Sequence, residues 1–228
     1  MEIKDTILGV EKELVEKYLI LVKENYRKAD KATYFLERKT GISNINTITN
    51  VRDLLSHLLT LLDTSLSYEQ RVAQLSTAEE HLRRSIFEPY ERTVSHISLE
   101  LEDLVTYYKQ FILPIKENNE VFKNALNLIS IESVLKEVEE LRNSARRCKG
   151  RNLWDEKWED GIKDLLDAFQ LLENLKSSLE EYRNKYKSLK REEKFGRMAK
   201  RQTFLTIWGI SLTIISIILG LFLFFLRK

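Results

Sequence analysis

The chain has 228 residues, of which 37 are Lys or Arg and 35 are Asp or Glu, for a formal net charge of +2. That balance argues against a protein that coats nucleic acid wholesale, since such a domain carries a large basic excess. With seven Gly, two Pro and 32% charged beside 43% hydrophobic residues, the composition speaks against a loop-rich or disordered chain and points to long helices.

In chain order, the first helix is expected from about Ile3 to Lys39, because Ile3, Ile7, Val10, Leu14, Tyr18 and Leu21 recur at steps of three and four. Gly41 should end it, with Arg38 and Lys39 in the last turn where cations suit the helix dipole. Ile42, Ile45 and Ile48 suit a packed loop or first turn. A second helix, from Asn46 or Asn50 to Ser65, has a wide apolar face of Val51, Leu54, Leu55, Leu58, Leu61 and Leu62 and is expected at the centre of the bundle. The third begins between Ser67 and Thr77; Ser76 with Glu79 and Thr77 with Glu80 have capping-box spacing, and a start at Tyr68 is the alternative. Its stripe runs from Leu82 to Phe111 and stops at Pro114, and Pro89 within it should bend it. The fourth is expected from Lys116 to Arg147, with Val121, Ala125, Leu128, Ile131, Leu135, Val138 and Ala145 inward, before a break at 148–152 that contains Gly150. The fifth starts near Trp154. Trp158, Ile162, Leu165, Phe169 and Leu172 form a heptad-like seam that slips near Lys176 and resumes through Leu175, Leu179, Tyr182, Tyr186 and Leu189.

Residues 204–226 hold no charge, and sixteen of these 23 are Leu, Ile or Phe. At ~1.5 Å per residue such a helix reaches ~34 Å, against ~30 Å of bilayer hydrocarbon. The sixteen favour insertion by about 5 to 10 kcal/mol before Gly, Ser and Thr take some back. The N-terminal residues do not read as a signal peptide. The expectation is therefore a tail anchor, single-pass in a membrane. Eight cations between Lys185 and Arg201, against Glu192 and Glu193, place the N-terminal domain in the cytoplasm by the positive-inside rule. A lone Cys148 suits that reducing compartment. Lys190, Arg191, Lys194, Arg197, Lys200 and Arg201 form the membrane-surface collar. Within the span, Gly209, Thr213, Ser216 and Gly220 share one face, which suits close helix approach and self-association. In an oligomer the same stripe would line any pore.

The expected fold class is all-α: an elongated bundle of about five helices whose last, coiled-coil-like helix continues into one C-terminal transmembrane helix. Residues 1–152 form the bundle, 153–202 the amphipathic helix with its collar, and 203–228 the anchor. No phosphate-binding glycine loop, nucleophile elbow or HExxH pair is present, so no enzyme, metal or cofactor is expected. His57, His81 and His96 are scattered and read as surface or core-edge residues. Cys148 reads as an ordinary loop cysteine.

The candidate ligand site is Arg142, Arg146, Arg147, Lys149 and Arg151, five cations with no acid among residues 142–151. Arg142 and Arg146 share a helical face, and guanidinium groups at a helix end suit a phosphate. An anionic small molecule or short oligonucleotide is the implied ligand, and Trp154 and Trp158 could stack a base. The alternative is dipole neutralisation, with pairing to Asp155, Glu156, Glu159 and Asp160. The partners expected are thus the lipid bilayer, further copies of the chain, and either that ligand or a protein bound through the bundle. In layout the chain resembles small bacterial membrane effectors of antiviral defence, which implies ligand-controlled pore formation or membrane disruption. Its layout also looks like that of a syntaxin-type SNARE, which implies a tether working through coiled-coil pairing. SNARE seams carry a central polar layer, whereas Gln170 here stands beside the seam, between Phe169 and Leu171.

Overall fold

The computed structural model describes residues 6–7, 10–151, 153 and 157–226, excluding the side chains of residues 6, 7, 10, 11, 15, 18, 214, 215 and 217–226. Described residues form six α-helices: α1 Lys12–Ile20, α2 Tyr26–Thr40, α3 Ile45–Leu61, α4 Tyr68–Tyr107, α5 Leu128–Lys149 and α6 Trp158–Leu226. The fold is all-α, apart from a two-residue antiparallel pairing of β1, Thr6–Ile7, with β2, Val10–Glu11. By contact the chain divides into two units, Met1–Thr106 with Leu126–Leu179, and Tyr107–Ala125 with Glu180–Lys228.

Helix ends follow local chemistry, and several differ from the sequence reading. The first helix starts at Lys12 rather than Ile3; Gly9, which the wider helix would have absorbed, is a poor helix former. A π-helical turn at Leu21–Asn25 joins α1 to α2, and Gly41 closes α2 in the left-handed region at φ 69°. Asn44 caps α3 by accepting from the Thr47 amide. The box that starts α4 is Ser67 with Gln70: the Ser67 amide donates to Gln70 Oε1 at 2.8 Å and the Gln70 amide to Ser67 Oγ at 3.3 Å. Ser76, Thr77, Glu79 and Glu80 lie inside the helix instead. α4 runs unbroken through buried Pro89, then loosens into a π turn, Tyr108–Ile112, and tightens into a 3-10 turn around Pro114. The fourth predicted helix begins twelve residues late. Residues 116–127 form turns, and Asn127 caps α5 by accepting from the Ser130 amide at 2.7 Å. Val121, expected inward, is exposed in that turn region, and Leu135 is exposed on α5.

In the first unit, α6 packs against α2, α4 and α5. Its seam residues Trp158, Leu165, Phe169, Leu172, Leu175 and Leu179 are buried. Phe87 of α4 meets Trp158 with ring centroids 5.9 Å apart, and Phe35 of α2 meets Phe169 at 5.0 Å. Ion pairs stitch the same neighbours: Lys28 with Glu159 at 2.5 Å and Lys176 with Glu100 at 2.7 Å. A Cβ on Gly161 would stand 2.6 Å from Cys148 Cβ and 3.1 Å from the Ala145 carbonyl, so the missing side chain is what lets α6 close on α5. Cys148 is thus a buried residue of the last α5 turn, not a loop cysteine.

The placement of α3 corrects the central position expected for it. Leu54, Leu58 and Leu61 are buried, while Leu55, Leu59 and Leu62 are exposed, as are Ile42, Ile45 and Ile48. A helix apolar on two faces reads as central from sequence; here only one face is covered.

The second unit is built on aromatic rings. Tyr107, Phe111 and Phe122 each meet Tyr186, with centroids 6.1, 5.8 and 6.5 Å apart, and Tyr108 meets Tyr182 edge-on at 5.9 Å. Burial, helped by Tyr182, pushes the Tyr108 hydroxyl up to about 12.

Candidate functional site

α5 positions the basic cluster by its helical period. Arg142, Arg146 and Lys149 fall at steps of four and three and share a face; Arg147 is turned about 100° away, and Arg151 lies beyond the helix end. The structure accordingly brings part of the predicted set together. Arg142 and Arg146 line a cavity of about 220 Å³ with Glu91, Ser95 and Leu165. Arg142 donates to Ser95 Oγ at 3.3 Å, and Lys149 Nζ sits 2.7 Å from the Glu91 carboxylate. Arg147 is exposed, and among the described residues nothing pairs with it. Arg151 contributes its carbonyl, which accepts from Arg83 at 2.5 Å.

Among the described residues, Glu139 and Glu91 are the acids that meet Arg142, Arg146 and Lys149. Glu139 lies 3.6 Å from Arg142 and 3.7 Å from Arg146, while Glu159 is engaged by Lys28. Asp155, Glu156 and Trp154 lie outside the described residues, and Trp158 fills the core against Phe87 rather than offering a stacking face. Glu139 could have been found from sequence, one turn before Arg142. Glu91 and Ser95 could not, because only the packing of α4 on α5 delivers them. What remains is a small polar recess with two guanidiniums, a hydroxyl and a carboxylate already committed to Lys149. It can admit a compact oxyanion by displacing the Glu139 contacts.

Two of the scattered histidines meet. His57 of α3 stacks on His81 of α4 with centroids 5.2 Å apart, and His57 Nδ1 pairs with Gln74 Oε1 at 2.7 Å. His96 lies 3.6 Å from Glu100. Among the described residues no group of three His, Cys, Asp or Glu could hold a metal. No family model matches this chain, and no curated protein or solved structure is detectably similar to it.

The collar keeps its charge in solvent. Lys190, Arg191, Lys194, Arg197, Lys200 and Arg201 are all exposed; Lys190 pairs with Glu193 at 3.0 Å, and Arg197 donates to the Glu193 carbonyl at 3.4 Å. Beyond it, Phe204, Leu205, Ile207, Trp208, Ile210 and Leu212 are all more than half exposed and spread around most of α6, the remaining arc holding Thr206, Gly209 and Thr213, which are exposed too. Thr213 and Ser211 turn their hydroxyls onto the helix's own carbonyls, Gly209 O and Ile207 O, each at 2.9 Å. Gly209 is open, Ser216 is exposed, and Gly220 falls where side chains are not described. Among the described residues no helix is long and apolar enough to cross a membrane. The side chains of Ile214, Ile215 and residues 217–226, which complete the uncharged run, lie outside them.

Proposed function

We propose that the protein is a non-enzymatic, single-pass helical membrane effector, anchored through residues 204–226, that self-associates in the bilayer and disrupts or permeabilises it under control of its helical bundle. The observation that carries this reading is the exposed apolar girdle from Phe204 to Leu212, uncovered on every side and continued in sequence by uncharged residues to Leu226. Water is a poor solvent for such a surface, and lipid is the solvent that suits a helix apolar all round. The exposed collar next to it supplies the charge that anionic headgroups attract. The recess at Arg142 and Arg146 is where a compact anion would bias the bundle. A tether working by coiled-coil exchange would need the α6 seam, and Leu165, Leu172 and Leu179 are buried within the chain's own first unit; the effector is therefore preferred.

The test is extraction and leakage. The full chain should stay in the pellet after an alkaline carbonate wash. Thr213→Asp with Ser216→Asp, at about 2.5 to 3.5 kcal/mol each near a span's centre, should release it. Dye release from vesicles should require the intact span and should fall with Gly209→Leu combined with Gly220→Leu. A parent chain found in the supernatant sinks the membrane reading; leakage indifferent to the paired glycine replacements sinks the small-residue stripe.

A further inference from the structure

The second, uncovered face of α3 carries an apolar stripe whose spacing is compatible with a second copy of itself. Asn46 and Ser56 of α3 are exposed as well; its stripe is Ile45, Ile48, Arg52, Leu55, Leu59 and Leu62, the last being the residue that caps the helix. They are spaced three, four, three, four and three. That series reads the same from either end, about a point between Asp53 and Leu54. Turned by a two-fold axis through this point, Ile45 of one copy faces Leu62 of the other, Ile48 faces Leu59, and Arg52 faces Leu55. Antiparallel helices packing at alternating steps of three and four need this arrangement, and a two-fold interface needs self-complementarity.

We infer that α3 is a homodimer interface, in which the uncovered stripes of two copies pack antiparallel about a two-fold axis between Asp53 and Leu54. Three further features fit a second copy as the occupant. The stripe is strongly exposed: Ile45 70%, Ile48 68%, Leu55 52% and Leu59 70%. A standard interface buries about 800 Å² per partner, somewhat over half of it apolar, and four such side chains with Leu62 supply a large part of that apolar centre. Charge does not oppose the pairing. Arg52 is the only cation of α3 and Asp53 its only acid, and they pair at 3.0 Å, so each copy brings a locally neutral pair to the axis. Finally, a groove of about 200 Å³ lies between α2 and α3, lined by Tyr26, Ala29, Thr33, Ile48 and Val51. Leu59 of the second copy, facing Ile48, would close over its mouth. A bilayer surface suits this face poorly, because helices that lie on lipid carry many Lys and Arg on the polar side, and α3 has one cation.

This inference does not depend on the membrane reading, and cysteine cross-linking of the purified full chain in detergent separates the two. Ile48 and Leu59 are solvent-exposed, so replacing them leaves the core intact, which circular dichroism would verify. In a Cys148→Ser background, Ile48→Cys mixed with Leu59→Cys should give a disulfide-linked dimer under copper-phenanthroline. Each variant alone should give little, since like positions would stand about 16 Å apart along antiparallel helices. Ile48→Glu with Leu59→Glu should lower the dimer fraction at least tenfold in analytical ultracentrifugation. Efficient cross-linking by either single variant, or none by the mixture, overturns the antiparallel pairing. So does a mixture that stays reduced and is shielded from a soluble maleimide only when a bilayer is supplied, which would put α3 on lipid. An unchanged dimer fraction in the double glutamate variant overturns the interface.

Discussion

Residues 142–151 and 185–201 are both dense in Lys and Arg, yet their charge is answered differently. On α5, Arg142 and Arg146 share Glu139, and Lys149 reaches Glu91 on another helix in a pair whose side chains are only 29% and 27% exposed. On α6, Arg191, Lys194, Lys200 and Arg201 find no acid among the described residues, and every collar side chain is exposed. A cluster met by acids from a neighbouring element is part of the packing. One whose cations mostly meet water is available to a surface of opposite sign. The difference lies in tertiary placement, so local charge density alone does not identify a binding site.

The strongest way to break the comparison is to dislodge α5 from its place. Gly161→Val puts a side chain where Cys148 Cβ stands 2.6 Å away. Overpacking of this kind costs about 3 kcal/mol at the upper end of its usual range. For a chain of this size that lowers Tm by roughly 10 °C, at about 2 to 4 °C per kcal/mol. The α5 cluster should lose its ion pairs early in the melt, while membrane pelleting at low temperature stays as in the parent. A Tm unchanged in differential scanning calorimetry would mean that the α5–α6 spacing is slack. Next in size is the collar. Lys194→Gln, Arg197→Gln and Lys200→Gln together should reduce the preference for anionic over zwitterionic vesicles by up to about 3 kcal/mol at low salt, an effect that fades as salt rises. Tm should not move. Smaller still is Glu91→Gln, which leaves Lys149 and the recess cations with Glu139 alone. It should cost about 1 kcal/mol, and inorganic phosphate should recover part of the loss in a thermal shift assay. If phosphate stabilises the parent equally, Glu91 is not what fills the recess.

The core stripes of α4 and α6 were legible because Leu82, Ile86, Val94, Ile97 and Leu101, like Leu165 and Leu172, repeat at the helical period and are buried where the period puts them. The sidedness of α3 was not. Leu54 and Leu55 are equally apolar, and periodicity records polarity without recording what covers each face. Capping was ambiguous for a related reason: Ser-x-x-Glu spacing occurs twice inside α4, whereas the working box uses Ser67 and Gln70, just after the Asp63–Ser65 turn. In the recess, the shared face of Arg142 and Arg146 followed from their spacing alone. Glu91 and Ser95 come from 47 to 58 residues away in sequence, and only folding brings them near.

A third positive cluster can be made by protons rather than by sequence, and it yields the smallest effect. Burial comes first, and the charge of neighbouring His57 second, in holding the His81 imidazole below its ordinary value; Arg84 acts the same way, while Asp53 and Glu80 oppose it. Both of those acids are already engaged, Asp53 by Arg52 and Glu80 by Arg84. A proton on the stacked pair would therefore meet little compensating charge between α3 and α4. The sign follows from where each state binds it. The unfolded chain protonates His81 near 6.5, the folded chain only at lower pH, so acidification through that window favours unfolding. Stability from this source is complete above about pH 7 and declines as pH falls through 6.5 toward the depressed value. Solvent screening keeps the loss under about 1 kcal/mol. Melting the parent and His81→Gln at pH 7.5 and 5.5 should show the larger fall in the parent. Equal falls would mean that the stacked rings carry no pH dependence of their own, and that other groups set whatever decline is seen.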